Sequence, residues 1–149
     1  MGRYYEVVFT MDEADNGALS WLVTAPAFPE VITFGDTQED ACRSGLMAIE
    51  EAIAARIADG EAVPLPLKDT PGKGRFVELS ALTFLKTALY MICREKDISR
   101  AELARRLNWH REQVDRLFRL DHRSRLDQME AAFKEIGVPL AFDIPLAAA

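Results

Sequence analysis

The stretch "ISRAELARRLNWHREQVDRLF", residues 98–118, carries five arginines and three carboxylates in a chain of 149 residues whose net charge is −6. Apolar residues recur at helical spacing on both sides of Asn108. Ser99 followed by Glu102 is typical of a helix start with a capping box. The stretch therefore predicts two short helices joined by a tight turn.

The spacing around that turn is typical of a helix-turn-helix. Leu103 and Ala104 precede Asn108, and Val114 and Leu117 follow it. The small alanine lets the two helices cross closely, and the later aliphatic side chains fill the space between them. Glycine is usual at the turn, but asparagine readily adopts positive φ as well. The pattern favours a DNA-binding helix pair over an ordinary helical hairpin with a solvated, arginine-rich outer face.

The outer face of the second helix provides the candidate base contacts, Arg111, Glu112 and Arg116. In the major groove, arginine can donate to guanine O6 and N7, and glutamate can accept from cytosine N4. Three flanking arginines are candidate phosphate contacts that set the register: Arg100, Arg123 and Arg125. One such unit reads few base pairs, so we expect a two-fold homodimer on operator double-stranded DNA. The sequence leaves both dimer and tetramer open, and it assigns no role to Arg105 and Arg106.

The residues before this stretch predict a small sheet and one long helix. Three runs rich in aromatic and β-branched residues indicate strands, at residues 4–9, 19–26 and 31–34. Thr37 and Gly60 are typical of the start and the end of a helix between them. Residues 75–79 read as a last strand that returns to the sheet. The first half is therefore predicted to be a β-β-β-α-β unit.

The proline- and glycine-rich segment 61–74 marks a boundary, because its composition breaks both helix and strand. We predict an α+β protein with two domains, residues 1–79 and residues 80–149. The second domain is all-α, with a further helix capped by Ser124 and Asp127. Alternating apolar residues at 138–145 predict a short C-terminal strand, which would pair with a two-fold mate or dock on its own domain.

Charge divides the chain more sharply than composition does. Residues 1–70 have a net charge of −9 and residues 71–149 a net charge of +3. This asymmetry suggests a polyanion at the basic end and a basic partner at the acidic end, although the acidic side chains would also serve solubility alone.

No apolar run approaches the roughly 20 residues of a membrane span, and the start lacks the features of a signal peptide. We therefore expect a cytoplasmic protein without a membrane segment. Cys42 and Cys93 stand apart, and they are not spaced with His110 and His122 as metal ligands would be. We expect no metal and no cofactor.

Several motifs together resemble the HicB antitoxin family, the partner of the small HicA messenger-RNA-cleaving toxin. They are "YYEVVF" (4–9), "FPEVITFGDTQEDA" (28–41), "ADGEAVPLP" (58–66) and the segment 99–140 that begins "SRAELARRL". The resemblance implies that the first half is a partial RNase H-like domain without nuclease activity, which binds a HicA-like toxin. It implies that the second half is a lambda-repressor-like helix-turn-helix domain that represses its own operon. The family loop resembling "PDLPGC" reads "PAFPEV" here, with Glu30 and Val31 where glycine and cysteine are common.

Two other functions stay open at this point. Glu6, Asp36 and Asp40 would form the metal site of a nuclease if they converged, since that chemistry needs carboxylates around two ions roughly 3.5–4 Å apart. The second alternative is a stand-alone transcription regulator whose first half senses a small ligand. A neighbouring gene for a small basic protein would favour the antitoxin over the sensor.

Overall fold

The computed structural model describes residues 1–147 and has the predicted α+β architecture. The elements, in chain order, are β1 (Tyr4–Glu13), β2 (Leu19–Ala25), β3 (Phe28–Gly35), α1 (Gln38–Asp59), β4 (Arg75–Glu78), α2 (Ala81–Glu95), α3 (Arg100–Leu107), α4 (Arg111–Leu117) and α5 (Leu126–Glu135). The chain divides into two compact units, Met1–Thr87 and Ala88–Ala149, with the division inside α2. The last two residues of the predicted second domain lie outside the described residues.

A four-stranded antiparallel sheet with the order β3-β2-β1-β4 forms the base of the first unit. β1 and β2 form the predicted hairpin, and its turn contains Gly17 at a φ of 79°. β4 returns to pair with β1, so that Tyr4 lies opposite Glu78 and Val7 lies opposite Arg75. The predicted β-β-β-α-β order is confirmed, and β1 and β3 are longer than the sequence indicated.

α1 begins and ends where its capping residues predict. The hydroxyl oxygen of Thr37 accepts a hydrogen bond from the backbone N–H of Asp40 at 3.0 Å, and Gly60 ends the helix at a φ of 72°. One face of the helix packs against the sheet and contains the buried residues Ala41, Gly45, Ile49, Ala52, Ile53 and Ile57. Burial of this apolar face stabilises the unit far more than helix propensity does.

An aromatic pair at the edge of this core connects β1, β3 and the end of α1. Tyr5 meets Phe28 edge-on at 5.0 Å, and its hydroxyl donates to the carbonyl of Pro64 at 2.6 Å. Burial raises the pKa of Tyr5, so the phenol stays protonated and keeps donating. The guanidinium of Arg56 lies 5.3 Å from the centre of the Phe28 ring and donates to both carboxylate oxygens of Glu30, at 2.8 and 3.0 Å. Glu30, where the chain departs from the usual family loop, thus holds β3 against α1.

Close packing of α1 on the sheet depends on Gly45. A Cβ atom at this position would lie 3.0 Å from Cγ1 of Val23 and 3.4 Å from Cγ1 of Val7. We expect Gly45→Val to lower the free energy of unfolding by about 1–3 kcal/mol, because the extra methyl groups would force the helix and the sheet apart. Ser44→Val is the matched control on the half-exposed side of the same helix, and urea denaturation measures both. Equal stability of the two variants would show that the helix does not approach the sheet this closely.

The predicted start of α5 was wrong. The helix begins at Leu126 with Arg125 at its N-cap, and Ser124 lies one residue too early to cap it. The hydroxyl of Ser124 is buried and donates instead to the backbone carbonyl of Arg116 at 3.3 Å. Ser124 therefore joins the last turn of α4 to the segment before α5, a contact that a capping pattern does not reveal.

The predicted C-terminal strand does not form within one chain. Residues 138–145 form no strand, and no strand among residues 1–147 pairs with them. Phe142 and Ile144, two of the alternating apolar residues, are 62% and 80% exposed. A strand requires a hydrogen-bonded neighbour, and this segment has none within residues 1–147, so its pairing with a two-fold mate stays a prediction.

Candidate nucleic-acid interface

α3 and α4 are joined by the tight turn that the sequence predicts. Asn108 adopts φ 55° and ψ 43°, the left-handed conformation expected there. Its backbone N–H donates to Arg105 at 3.2 Å, and the N–H of Trp109 donates to the carbonyl of Ala104 at 3.0 Å. These bonds satisfy carbonyls at the end of α3 and set the direction in which α4 leaves.

The residues predicted to fill the space between the two helices are all buried. The side chains of Leu103 and Val114 are fully buried, and Leu117 and Ala104 are 1% and 7% exposed. α3 also contacts α5, where Met129 and Phe133 are buried. The predicted positions of the turn and of the apolar wedge are therefore confirmed.

The opposite side of this helix pair is charged and exposed. The three candidate base contacts, Arg111, Glu112 and Arg116, are exposed on α4. An open depression on this side is lined by Arg100, Glu112, Asp115, Arg116 and Arg119. The structure thus brings a candidate phosphate contact, Arg100, next to the candidate base contacts. Arg123 and Arg125 are exposed outside this depression, and Arg125 pairs with Asp127 at 2.7 Å.

Asp115, the acidic residue in the middle of this face, is held by two arginines. One of its carboxylate oxygens accepts from Nε of Arg111 at 3.1 Å and from the guanidinium of Arg100 at 3.4 Å. Burial raises the pKa of Asp115, but the hydrogen bonds from Arg111 and Arg100 outweigh that effect, and its pKa lies below the usual range. The carboxylate is therefore charged, and the neighbouring arginines largely offset its repulsion of a phosphate.

Arg100 is the most constrained of the candidate contacts. Its guanidinium lies 4.9 Å from the centre of the Phe118 ring, and its side chain is 30% exposed. Stacking and the ion pair with Asp115 together fix its direction at the start of α3. A contact to phosphate from this position would cost little conformational entropy, since the side chain is already ordered.

The two arginines without a predicted role form a pair around Glu102. Arg105 donates to both oxygens of Glu102, at 2.9 and 2.6 Å, and Arg106 donates to one of them at 2.8 Å. These bonds lower the pKa of Glu102 to about 2. The backbone N–H of Glu102 bonds to Ser99 as predicted, at 3.1 Å, but its side chain turns to the arginines instead of closing a capping box.

Arg119 belongs to this face and was missed by the sequence reasoning. It lines the depression with Arg116 and contacts Asp121 at 3.1 Å. The signal was its position three residues after Arg116, which would be about one turn further if the helix continued. Arg119 lies beyond the last turn of α4, so its place depends on how the helix ends.

The conformation of Asn108 gives a direct test of the turn. We expect Asn108→Val to lower the free energy of unfolding by about 1–2 kcal/mol, because a β-branched residue is strained at positive φ. Asn108→Gly is the matched control and should be close to neutral, since glycine adopts this conformation freely. Urea denaturation followed by circular dichroism measures both variants. A similar decrease in the free energy of unfolding for Asn108→Val and Asn108→Gly would contradict a left-handed turn at this residue.

The carboxylates of the nuclease alternative do not form a metal site. Asp40 contacts Arg43, and Glu6 lies on β1. Within residues 1–147, no three His, Cys, Asp or Glu side chains group closely enough to hold a metal ion. No helix in that part of the chain has the length and apolarity that crossing a membrane requires.

The comparison with known families concerns mainly the first unit. The model of a family described as "HicB_like antitoxin of bacterial toxin-antitoxin system" matches residues 4–88. The chain belongs to this HicB-like antitoxin family. The match includes the whole sheet and α1 and ends before α3.

Relatives extend the similarity over most of the chain. The antitoxin HicB of Pseudomonas fluorescens (strain Pf0-1) is 35% identical over 117 residues, which cover 78% of this chain and 80% of that protein. Antitoxin HicB 2 of Photorhabdus laumondii subsp. laumondii is 32% identical over 133 residues, or 89% of this chain and 90% of that protein. The antitoxin HicB of Escherichia coli (strain K12) is 28% identical over 132 residues, which cover 89% of this chain and 94% of that protein. These proteins are named as antitoxins and not as enzymes, so the family resemblance is confirmed and the nuclease alternative loses its support.

Proposed function

We propose that this chain neutralises a HicA-type messenger-RNA-cleaving toxin with its first unit and represses its own operon with α3 and α4. The observation that carries the first part is the family match, which spans residues 4–88 and so coincides with the sheet and α1. An antitoxin requires a toxin partner, and the −9 charge of residues 1–70 suits a basic one.

The proposal includes the finer description of both folds. In this proposal the first unit is a partial RNase H-like domain, supported by its β-β-β-α-β order with β4 beside β1. The second unit is a lambda-repressor-like helix-turn-helix domain that acts in the cytoplasm as a homodimer.

DNA binding rests on a different observation. Asn108 in the left-handed conformation, the buried Leu103 and Val114, and the arginines on the outer face of α4 together have the arrangement of a recognition helix. In this proposal Arg111, Glu112 and Arg116 contact base edges. The phosphate contacts are Arg100, Arg123 and Arg125.

Co-expression tests the antitoxin function. The small basic protein encoded next to this gene should arrest growth when expressed alone, and the full chain should restore growth and co-purify with it. Arrest without restoration, or the absence of any such neighbouring gene, would contradict the proposal and favour the ligand-sensing regulator.

Titration of promoter DNA tests the repressor function. A fluorescent fragment from upstream of the operon should bind more tightly than a shuffled fragment of equal length. Affinity for both should fall as salt rises, because phosphate contacts release counterions. Equal affinity for the two fragments would contradict operator recognition.

A further inference from the structure

The sheet of the first unit has a second face, which α1 does not cover. Side chains alternate along each strand, so every second residue points to this face. The strand registers align these residues in two cross-strand rows, Val8–Thr24–Ile32 and Thr10–Leu22–Phe34. We call this set the outer sheet face.

Four of the six residues of the outer sheet face are apolar, and most of the face is exposed. Val8 is 41% exposed, Phe34 is 51% exposed and Ile32 is 66% exposed, and Leu22 lies half-buried between the strands. An antiparallel sheet with one face in water ordinarily carries polar side chains there. A contiguous apolar patch of this kind marks a site of interaction with another molecule.

Carboxylates flank the outer sheet face along β1. Glu6 precedes Val8 by two residues and Asp12 follows Thr10 by two, so both lie on the same side of the sheet. Within residues 1–147, neither Glu6 nor Asp12 takes part in an ion pair. Glu30, by contrast, is bound by Arg56. The patch therefore has an apolar centre and a polar rim, as protein interfaces usually have, and the polar rim along β1 is negative.

We propose that the outer sheet face is the docking surface for the toxin, an inference that rests on the antitoxin function proposed above. A toxin that cleaves messenger RNA binds a polyanion and so carries positive charge, which complements Glu6 and Asp12. A second copy of this chain would bring the same carboxylates to the rim, and like charges oppose that contact. The toxin's apolar residues pack on Ile32 and Phe34, and its basic residues meet the rim.

Three single variants of the full chain test this surface against the toxin encoded beside its gene. Ile32→Glu places a charge in the patch, and Phe34→Ser removes apolar contact without adding charge. Leu65→Glu is the matched control, because Leu65 lies outside the sheet and is 64% exposed, close to the 66% of Ile32. Calorimetric titration with toxin should give a dissociation constant at least about tenfold higher for the two sheet variants. The control should stay within about twofold of the wild type.

The charged rim has its own test. Glu6→Lys combined with Asp12→Lys should slow association by about tenfold at low salt, and this difference should shrink as salt rises because the charges are screened. A rate that is unchanged at low salt would contradict the role of the rim.

The outcomes separate this inference from the function on which it rests. If the wild-type chain does not bind the toxin at all, the antitoxin function fails. If the wild type binds and the sheet variants bind equally well, the docking surface is overturned while the antitoxin function stands. A similar loss with Leu65→Glu would also overturn it. If Ile32→Glu changes the oligomeric state but not toxin binding, the outer sheet face is a contact between copies of the chain, which overturns the proposal as well. Thermal unfolding of each variant serves as the control. An unchanged melting temperature excludes misfolding as the cause of a lower toxin affinity.

Discussion

Replacing Arg111 and Arg116 together with alanine is expected to weaken operator binding by about 2–6 kcal/mol, since each arginine that reads a guanine contributes about 1–3 kcal/mol. Both residues are exposed on α4. Arg111 must exchange its contact with Asp115 for the base, and an exposed pair of this kind is worth only about 0–1 kcal/mol. The free-energy cost of breaking the Arg111–Asp115 pair is therefore small compared with the contribution of the base contact.

Specificity distinguishes base contacts from phosphate contacts. The double variant should lose most of its preference for operator over shuffled DNA, as measured by fluorescence anisotropy. Arg123→Ala is the matched control, because Arg123 is exposed and a proposed phosphate contact. Arg123→Ala should weaken binding to both fragments alike. It should also reduce the slope of log affinity against log salt concentration by about 1. If the Arg111 and Arg116 double variant loses the same affinity for both fragments, α4 does not recognise the DNA sequence.

Leu103→Ala is expected to lower the stability of the second unit by about 2–5 kcal/mol, because it removes a fully buried side chain from between α3, α4 and α5. A unit of this size has little stability to spare. We therefore expect the variant to lose the proposed DNA binding and to keep toxin binding, which we propose for the first unit.

Tryptophan fluorescence isolates the second unit in this test. The chain has two tryptophans, Trp21 on β2 and Trp109 next to the turn. In a Trp21→Phe background the fluorescence comes from Trp109 alone. The urea midpoint of that fluorescence therefore measures the unfolding of the helix pair. Leu126→Ala is the control, since Leu126 is 52% exposed, and it should change stability by less than about 0.5 kcal/mol. A midpoint that does not move with Leu103→Ala would contradict the packing of α3 described above.

The sequence predicted the parts of the fold that local chemistry decides. Thr37 and Gly60 determine where α1 begins and ends, because each satisfies backbone groups that no helical neighbour can reach. Asn108 predicted the turn because few residues adopt positive φ. The burial of Leu103 and Val114 followed from helical spacing alone.

The remaining features depend on contacts between distant residues, and local patterns do not encode them. Ser124 has a capping pattern, but its hydroxyl binds the carbonyl of Arg116. The residues at 138–145 alternate like a strand, yet no described strand pairs with them. The outer sheet face depends on the register of three strands, which places Phe34 opposite Leu22. That register cannot be predicted from the sequence pattern alone.

The candidate site shows the same division. The exposure of Arg111, Glu112 and Arg116 could be predicted once Val114 and Leu117 were placed inward. The ion pairs of Asp115 with Arg111 and Arg100 could not, because Arg100 lies on another helix. Those pairs make Asp115 a positioning residue for two arginines on the surface that we propose contacts DNA.

The antitoxin function is tested most directly by the affinity of the full chain for its proposed HicA-type toxin partner. Calorimetric titration of the purified proteins should give a stable complex with a dissociation constant well below micromolar, and the same chain should restore growth to cells that express the toxin. The absence of a measurable complex, together with growth arrest that the chain does not relieve, would contradict the account.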